Sequence, residues 1–140
     1  MKLGRLNHVG IAVPDMDAAI AHWRESAGAT LTTPPFEMPE QGVLVCFMDT
    51  AEGAAQMELL SPLDKTSPIT SFLARNPLGG QHHMCFEVPD IEAARTNFEA
   101  QGKRILGPTR IGAHGTPIFF VHPKDMGGIL TEIMETPGDV

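Results

Sequence analysis

A chain of 140 residues with 42% hydrophobic content has room for one domain with its own core. Seventeen acidic residues against ten basic ones give a net charge of −7, which argues against a nucleic-acid surface and a polybasic membrane patch. An anionic small ligand stays compatible with that charge, since a pocket can be locally basic. Cys46 and Cys85 each sit in an apolar run and read as buried free thiols in a reducing compartment. The chain does not open on a signal peptide, and no apolar run approaches the ~20 residues of a membrane span. The expectation is a cytoplasmic protein.

In chain order, "HVGIAV" from His8 predicts a strand that Pro14 ends. Asp15 follows as a helix N-cap, and Met16, Ile20, Trp23 and Ala27 recur at helical spacing up to Gly28, a left-handed C-terminal position. Strands are predicted near 29–33, 43–49 and 56–61, with "TPPFEMPEQG" as a proline-rich loop between the first two. "TSPITSFLARNPLGG" predicts a short helix with Ser67 as cap and Pro68 at its first position. "HMCFEV" then repeats the opening strand, and Asp90 caps a helix carrying Ile91, Ala94 and Phe98 that ends at Gly102. Strands near 104–109, 117–122 and 129–135 complete the chain.

These elements occur twice. His8 matches His83, Pro14-Asp15 match Pro89-Asp90, Ala18-Ala19 match Ala93-Ala94, and Trp23 matches Phe98, all at about 75 residues' separation. The expected organisation is one α+β domain over 1–140, made of two repeats at about 5–63 and 80–137 joined by a short helical linker. Each repeat is a βαβββ module, and the two sheets are expected to meet around a shared concavity.

The repeat also pairs Glu58 in "MELLSP" with Glu132 in "TEIMETP", 74 residues apart. Strand alternation puts His8 with Gly10 and Ala12 on one face, while Val9, Ile11 and Val13 suit the face under the helix. His83 shares its face with Cys85, against Met84, Phe86 and Val88. Glu58 and Glu132 likewise point away from the packed face, so all four polar residues are expected on open faces. Two neutral imidazoles and two carboxylates suit one divalent ion, with Zn, Ni, Co, Mn or Fe(II) favoured over Ca. Taken singly, a strand histidine is a satisfied structural residue and an acid near a strand end is a solvated charge; the shared offset sets these four apart.

His82 matches Asn7, a position the repeat does not keep as histidine, so it should point elsewhere. His22 reads as exposed, and His114 and His122 sit in loop contexts; His114 fits a pocket lining or an ordinary turn equally. Met38, Met48, Met57, Met84, Met126 and Met134 read as core or pocket filler. The chain shows no glycine-rich phosphate loop, Ser-His-Asp order or CxxC pair.

On "PEQGV", "MELLSPL", "SPITSFL", "GGQHHMCFEV" and above all "IGAHGTPIFFVHPKDMGGIL", the sequence resembles the methylmalonyl-CoA epimerases of the vicinal oxygen chelate superfamily. The resemblance spans nearly the whole chain, from "LNHVGIAVPD" to "TEIME". It implies a glyoxalase-type fold in which paired modules cup one divalent metal (Co, Mn, Zn or Ni), with the family's ligand positions on His8, Glu58, His83 and Glu132. It also implies inversion of the α-carbon of an acyl-CoA substrate through a metal-stabilised enolate, a homodimer, and a role in propionate metabolism. Glu58 and Glu132 would then be the acid–base pair as well as ligands. Some members carry a glutamate base where this chain has Val45, and those use glutamine where it has Glu58. Lys65, Arg75, Arg110 and Lys124 are candidates for the CoA phosphates, and ethylmalonyl-CoA is a further candidate substrate. A glyoxalase I-like lyase acting on a glutathione hemithioacetal can use the same ligand set, and a metal-free binding protein can use the same fold.

Overall fold

Runs of β-branched and aromatic residues broken by Gly and Pro set eight strands. The computed structural model describes residues 1–138, so Asp139 and Val140 of the expected 1–140 domain lie outside the described residues. The strands are β1 (Leu6–Ala12), β2 (Thr30–Met38), β3 (Val43–Asp49), β4 (Gln56–Pro62), β5 (Gly80–Val88), β6 (Ile105–Ile111), β7 (Pro117–Val121) and β8 (Thr131–Glu135). The helices are α1 (Met16–Ala27), α2 (Pro68–Arg75) and α3 (Ile91–Ala100), with one 3-10 turn at Pro123–Asp125. Among the described residues, no helix is long and apolar enough to cross a membrane.

Side chains that accept from free first-turn amides start each helix. Asp15 accepts from Ala18 N and Asp90 from Ala93 N, both at 3.0 Å, and Ser67 accepts from Ile69 N at 3.3 Å. Gly28 ends α1 at φ 64°, a left-handed conformation that a residue with a Cβ adopts only at a cost.

The chain forms two compact units, His8–His82 and a second made of Met1–Asn7 with the chain from His83 onward. In the first, the strand order is β2-β3-β4-β1, with β1 parallel to β4 and the other pairs antiparallel. One face of this sheet packs on α1: Cys46, Met48 and Leu59 meet Val13, Met16, Ile20 and Ala29. In the second unit the order is β5-β8-β7-β6, with β5 parallel to β8. There Phe119, Val121 and Ile133 meet Val88, Ile91, Ala94 and Phe98 of the strand and helix that follow His83. Both helices are thus held by the alternate residues that point away from the polar pairs.

Two expectations change. "TPPFEMPEQG" is not a loop throughout, because β2 runs through Pro34 and Pro35 to Met38. Both prolines are exposed, β2 has β3 as its one neighbour in this unit, and neither proline is among the residues paired with β3. The register slips there: Thr33 pairs with Phe47 but Phe36 with Val45, a bulge that turns Phe36 toward Phe47, ring centroids 6.1 Å apart. The last strand starts at Thr131 rather than 129, since Gly127 and Gly128 at φ 66° and 92° turn the chain just before it.

One glycine in the first unit is demanded by the backbone. Gly79 has φ 89°, and a Cβ there would lie 2.3 Å from the Ala12 carbonyl oxygen at the end of β1. Gly53, at φ 76°, has open space around the same position. Gly79→Ala should therefore destabilise the protein by more than about 1 kcal/mol and clearly more than Gly53→Ala. Chemical denaturation of both variants checks this; equal midpoints would contradict it.

Candidate metal centre

Two buried imidazole–carboxylate pairs stand out among the polar side chains. In the first unit β1 and β4 run side by side, with Gly10 opposite Glu58. The small Gly10 leaves room for the glutamate to lean back toward His8, and His8 Nε2 lies 3.4 Å from Glu58 Oε2. In the second unit Cys85 stands opposite Glu132, and His83 Nε2 lies 3.0 Å from Glu132 Oε1. The four residues are 0–5% exposed. The faces that carry them are therefore not open, as their small residues suggested. Ala12, Val45 and Phe47 are buried in the first unit, and Cys85, Ile118 and Met134 in the second.

Burial of carboxylates has an electrostatic consequence, because an ionised group taken from water needs compensation. Glu58, Glu87 and Glu132 are buried, whereas no Lys or Arg is buried among the described residues. Glu87 accepts from Asn7 Nδ2 at 3.0 Å and lies 3.5 Å from Arg5 Nε, a structural pairing within the second unit. Glu58 and Glu132 instead face imidazoles. Each unit thus offers one imidazole beside one buried carboxylate, nitrogen and oxygen donors of the kind that suit a divalent cation.

Thiolate is not available to join that set from Cys46. Its Sγ points to Met16 Sδ at 3.6 Å on the helix side, and burial pushes the thiol up to about 11.

The remaining candidates fall elsewhere. The ring of His82 stands edge-on to Phe72 of α2 at 5.3 Å. His22 is exposed and rests against Trp23. His122 caps the 3-10 turn, its Nδ1 accepting from Lys124 N at 3.1 Å. His114 is half-buried in a turn closed by the Gly112 amide donating to the Thr116 carbonyl at 3.0 Å. Lys65, Arg75, Arg110 and Lys124 are all exposed. Val45 is buried in β3, opposite Leu60.

Two residues at the pairs were not picked out from the sequence. Phe47 is the cross-strand partner of Glu58, and Phe120 that of Glu132. The ring of Phe47 lies 6.4 Å from that of His8, and the ring of Phe120 lies 5.5 Å from that of His83. Their separation of 73 residues, close to that of the glutamates, is the one sequence signal that they share.

With this geometry in view, the similarities to known proteins are decisive. Residues 7–120 match the glyoxalase/bleomycin resistance protein/dioxygenase superfamily. The ethylmalonyl-CoA/methylmalonyl-CoA epimerase of Cereibacter sphaeroides is 50% identical over 133 residues, 94% of this chain and 97% of that protein. The chain belongs to the methylmalonyl-CoA epimerase family. The crystal structure of the methylmalonyl-CoA epimerase from Mycobacterium tuberculosis superposes with a TM-score of 0.87 at 35% identity, covering 95% of this chain and 88% of that one. A methylmalonyl-CoA epimerase in complex with methylmalonyl-CoA and NH4+ gives 0.87 at 34% identity, covering 98% and 97%. The α+β class expected from the repeat and the glyoxalase-type fold implied by the resemblance are thus those of this family.

Burial of both thiols is directly measurable. Cys46 and Cys85 are fully buried and free. Ellman's reagent at pH 8 should titrate both cysteines in denatured protein and neither at the rate of a free thiol in folded protein. Rapid labelling of the native chain would contradict that burial.

Proposed function

We propose that this protein epimerises methylmalonyl-CoA at a single divalent metal held by His8, Glu58, His83 and Glu132. The observation that carries the reading is the matched pair of buried imidazole–carboxylate contacts in a chain so similar to epimerases over nearly its whole length. One domain over 1–140, built of repeats at about 5–63 and 80–137, would bring the two pairs into one site, and is part of the proposal. The donor set fits Co, Mn, Zn or Ni, and the family resemblance adds a homodimer in propionate metabolism.

The chemistry suits these side chains. The proton to be removed lies between a thioester and a carboxylate, so its loss builds negative charge on the thioester oxygen. When bound, the metal supplies Lewis-acid stabilisation for that charge. Inversion further needs a base on one face of the α-carbon and an acid on the other. Val45 cannot move a proton, so Glu58 and Glu132 are assigned both roles here. Each carboxylate has two oxygens, so it could hold the cation and still take or give a proton. Phe47 and Phe120 stand directly across the strands from the two carboxylates.

The substrate class is acyl-CoA. A relative named for both ethylmalonyl-CoA and methylmalonyl-CoA supports a pocket that admits the longer 2-substituent as well. The glyoxalase I reading shares the ligand set, but the relatives at 50% and 35% identity are named as epimerases.

The test is to incubate one epimer of methylmalonyl-CoA with metal-loaded protein in heavy water and follow the α-proton by NMR. Inversion accompanied by deuterium uptake is the expected result, with methylglyoxal plus glutathione left unchanged; absence of both exchange and inversion would overturn the reading. Glu132→Gln should lower kcat by about 100-fold or more with metal retained. Glu58→Gln should also fall, and full turnover in that variant would remove Glu58 from the acid–base pair. His82→Asn should leave the bound metal in place, measured by elemental analysis beside His83→Asn, which should lose it.

A further inference from the structure

A histidine that ligates a metal must present one ring nitrogen along a fixed direction, yet its second side-chain torsion is broad. Such ligands are ordinarily oriented by a hydrogen bond from the other ring nitrogen and by packing that locks the rotamer. Here an aromatic packing neighbour occurs in both units. Phe120 meets the His83 ring at 5.5 Å and 81°, an edge-to-face contact, and Phe47 meets the His8 ring at 6.4 Å and 58°. Each phenylalanine is also the direct cross-strand partner of the glutamate that pairs with that histidine. One aromatic residue therefore neighbours both members of each pair, the histidine by its ring and the glutamate by strand register.

We infer that Phe120 and Phe47 are positioning residues for the metal, fixing the ring planes of His83 and His8 and shielding the paired carboxylates. This rests on the proposed metal centre and adds residues that are not themselves ligands. The two supports are unequal. Phe120 is nearer and more nearly perpendicular, whereas Phe47 is more distant but braced by Phe36 at 6.1 Å. The Phe36 brace exists because the bulge at Pro34-Pro35 turns β2 by one residue. Phe120 is partly exposed and Phe47 is buried. Loss of the ring at 120 should act mainly on the metal, and loss at 47 on the metal and the fold together.

The experiment measures metal affinity by chelator competition, and the visible absorption of the Co(II)-loaded protein, for wild type, Phe120→Leu, Phe120→Tyr and Phe47→Leu. The melting temperature of each metal-free protein is recorded alongside. Phe120→Leu keeps an apolar side chain of similar reach and should weaken Co(II) binding about tenfold, with altered absorption intensity. Its metal-free melting temperature should stay close to wild type. Phe120→Tyr, which keeps the ring, should restore most of the affinity and the spectrum. Phe47→Leu should shift both affinity and metal-free melting. Unchanged affinity and spectrum in Phe120→Leu, with wild type binding one metal, would overturn the positioning role alone. A wild type that takes up no stoichiometric metal would overturn the metal centre itself, and the positioning role with it.

Discussion

The structure turns on one electrostatic requirement: in each unit a carboxylate is buried in a sheet face against a neutral-capable ring. Burial of an ionised group is tolerated only where geometry supplies a compensating partner. Glu58 and Glu132 sit at 5% exposure with imidazole nitrogens within 3.4 Å, and no lysine or arginine is buried anywhere among the described residues. Glu87 provides the contrast. It is equally buried, but Asn7 and Arg5 reach it, and the chain thereby has an ordinary structural solution for an acid in a sheet. The two other buried acids face imidazoles instead, and on the proposed reading a divalent cation completes the balance.

The rest of each unit follows from keeping that pair rigid. The period of two along β1 and β4 allows His8 and Glu58 to share a face only if the intervening residues commit to the other one. They do so by packing on α1, where Val13, Cys46, Met48 and Leu59 form a continuous core. In the second unit Phe119, Val121 and Ile133 play the same part beneath α3. The parallel pairings β1–β4 and β5–β8 place each histidine strand beside its glutamate strand, with no intervening strand. A shift of register by one residue would send each carboxylate into an apolar core, which makes the register itself strongly specified.

What could be read in the sequence was local or repeated. His8, Glu58, His83 and Glu132 are legible because alternation is a property of a few neighbouring residues and the repeat supplies a second witness. The caps Asp15, Ser67 and Asp90 are legible for the same reason, since each acts within three residues of itself. What escaped depends on neighbours distant in sequence. Pro34 and Pro35 signal a loop unless β2 has a free edge, and only the sheet order reveals that edge. Phe47 and Phe120 read as generic core until antiparallel register sets them opposite the glutamates. The residues on the expected open faces are buried, which alternation within one strand cannot reveal.

Val45 bears most directly on how this family can vary. A position that carries a glutamate base in some members is here a buried aliphatic side chain opposite Leu60. A lost base must be replaced from groups that reach the substrate, and on the proposed reading those are the carboxylates of Glu58 and Glu132. On the proposed scheme, exchanging glutamine for Glu58 at the ligand position and valine for glutamate at the base position are coupled changes. A glutamine ligand cannot accept a proton, so it requires a separate base; a glutamate ligand can, so the separate base becomes dispensable. The coupling moves the acid–base function one pleat along the sheet, from residue 45 on β3 to residue 58 on β4, while leaving the two histidines untouched. The cost of that arrangement is that one carboxylate would serve metal and proton at once, which sharpens the need for a fixed geometry. The aromatic side chains directly opposite Glu58 and Glu132 are the parts of the sheet placed to supply it.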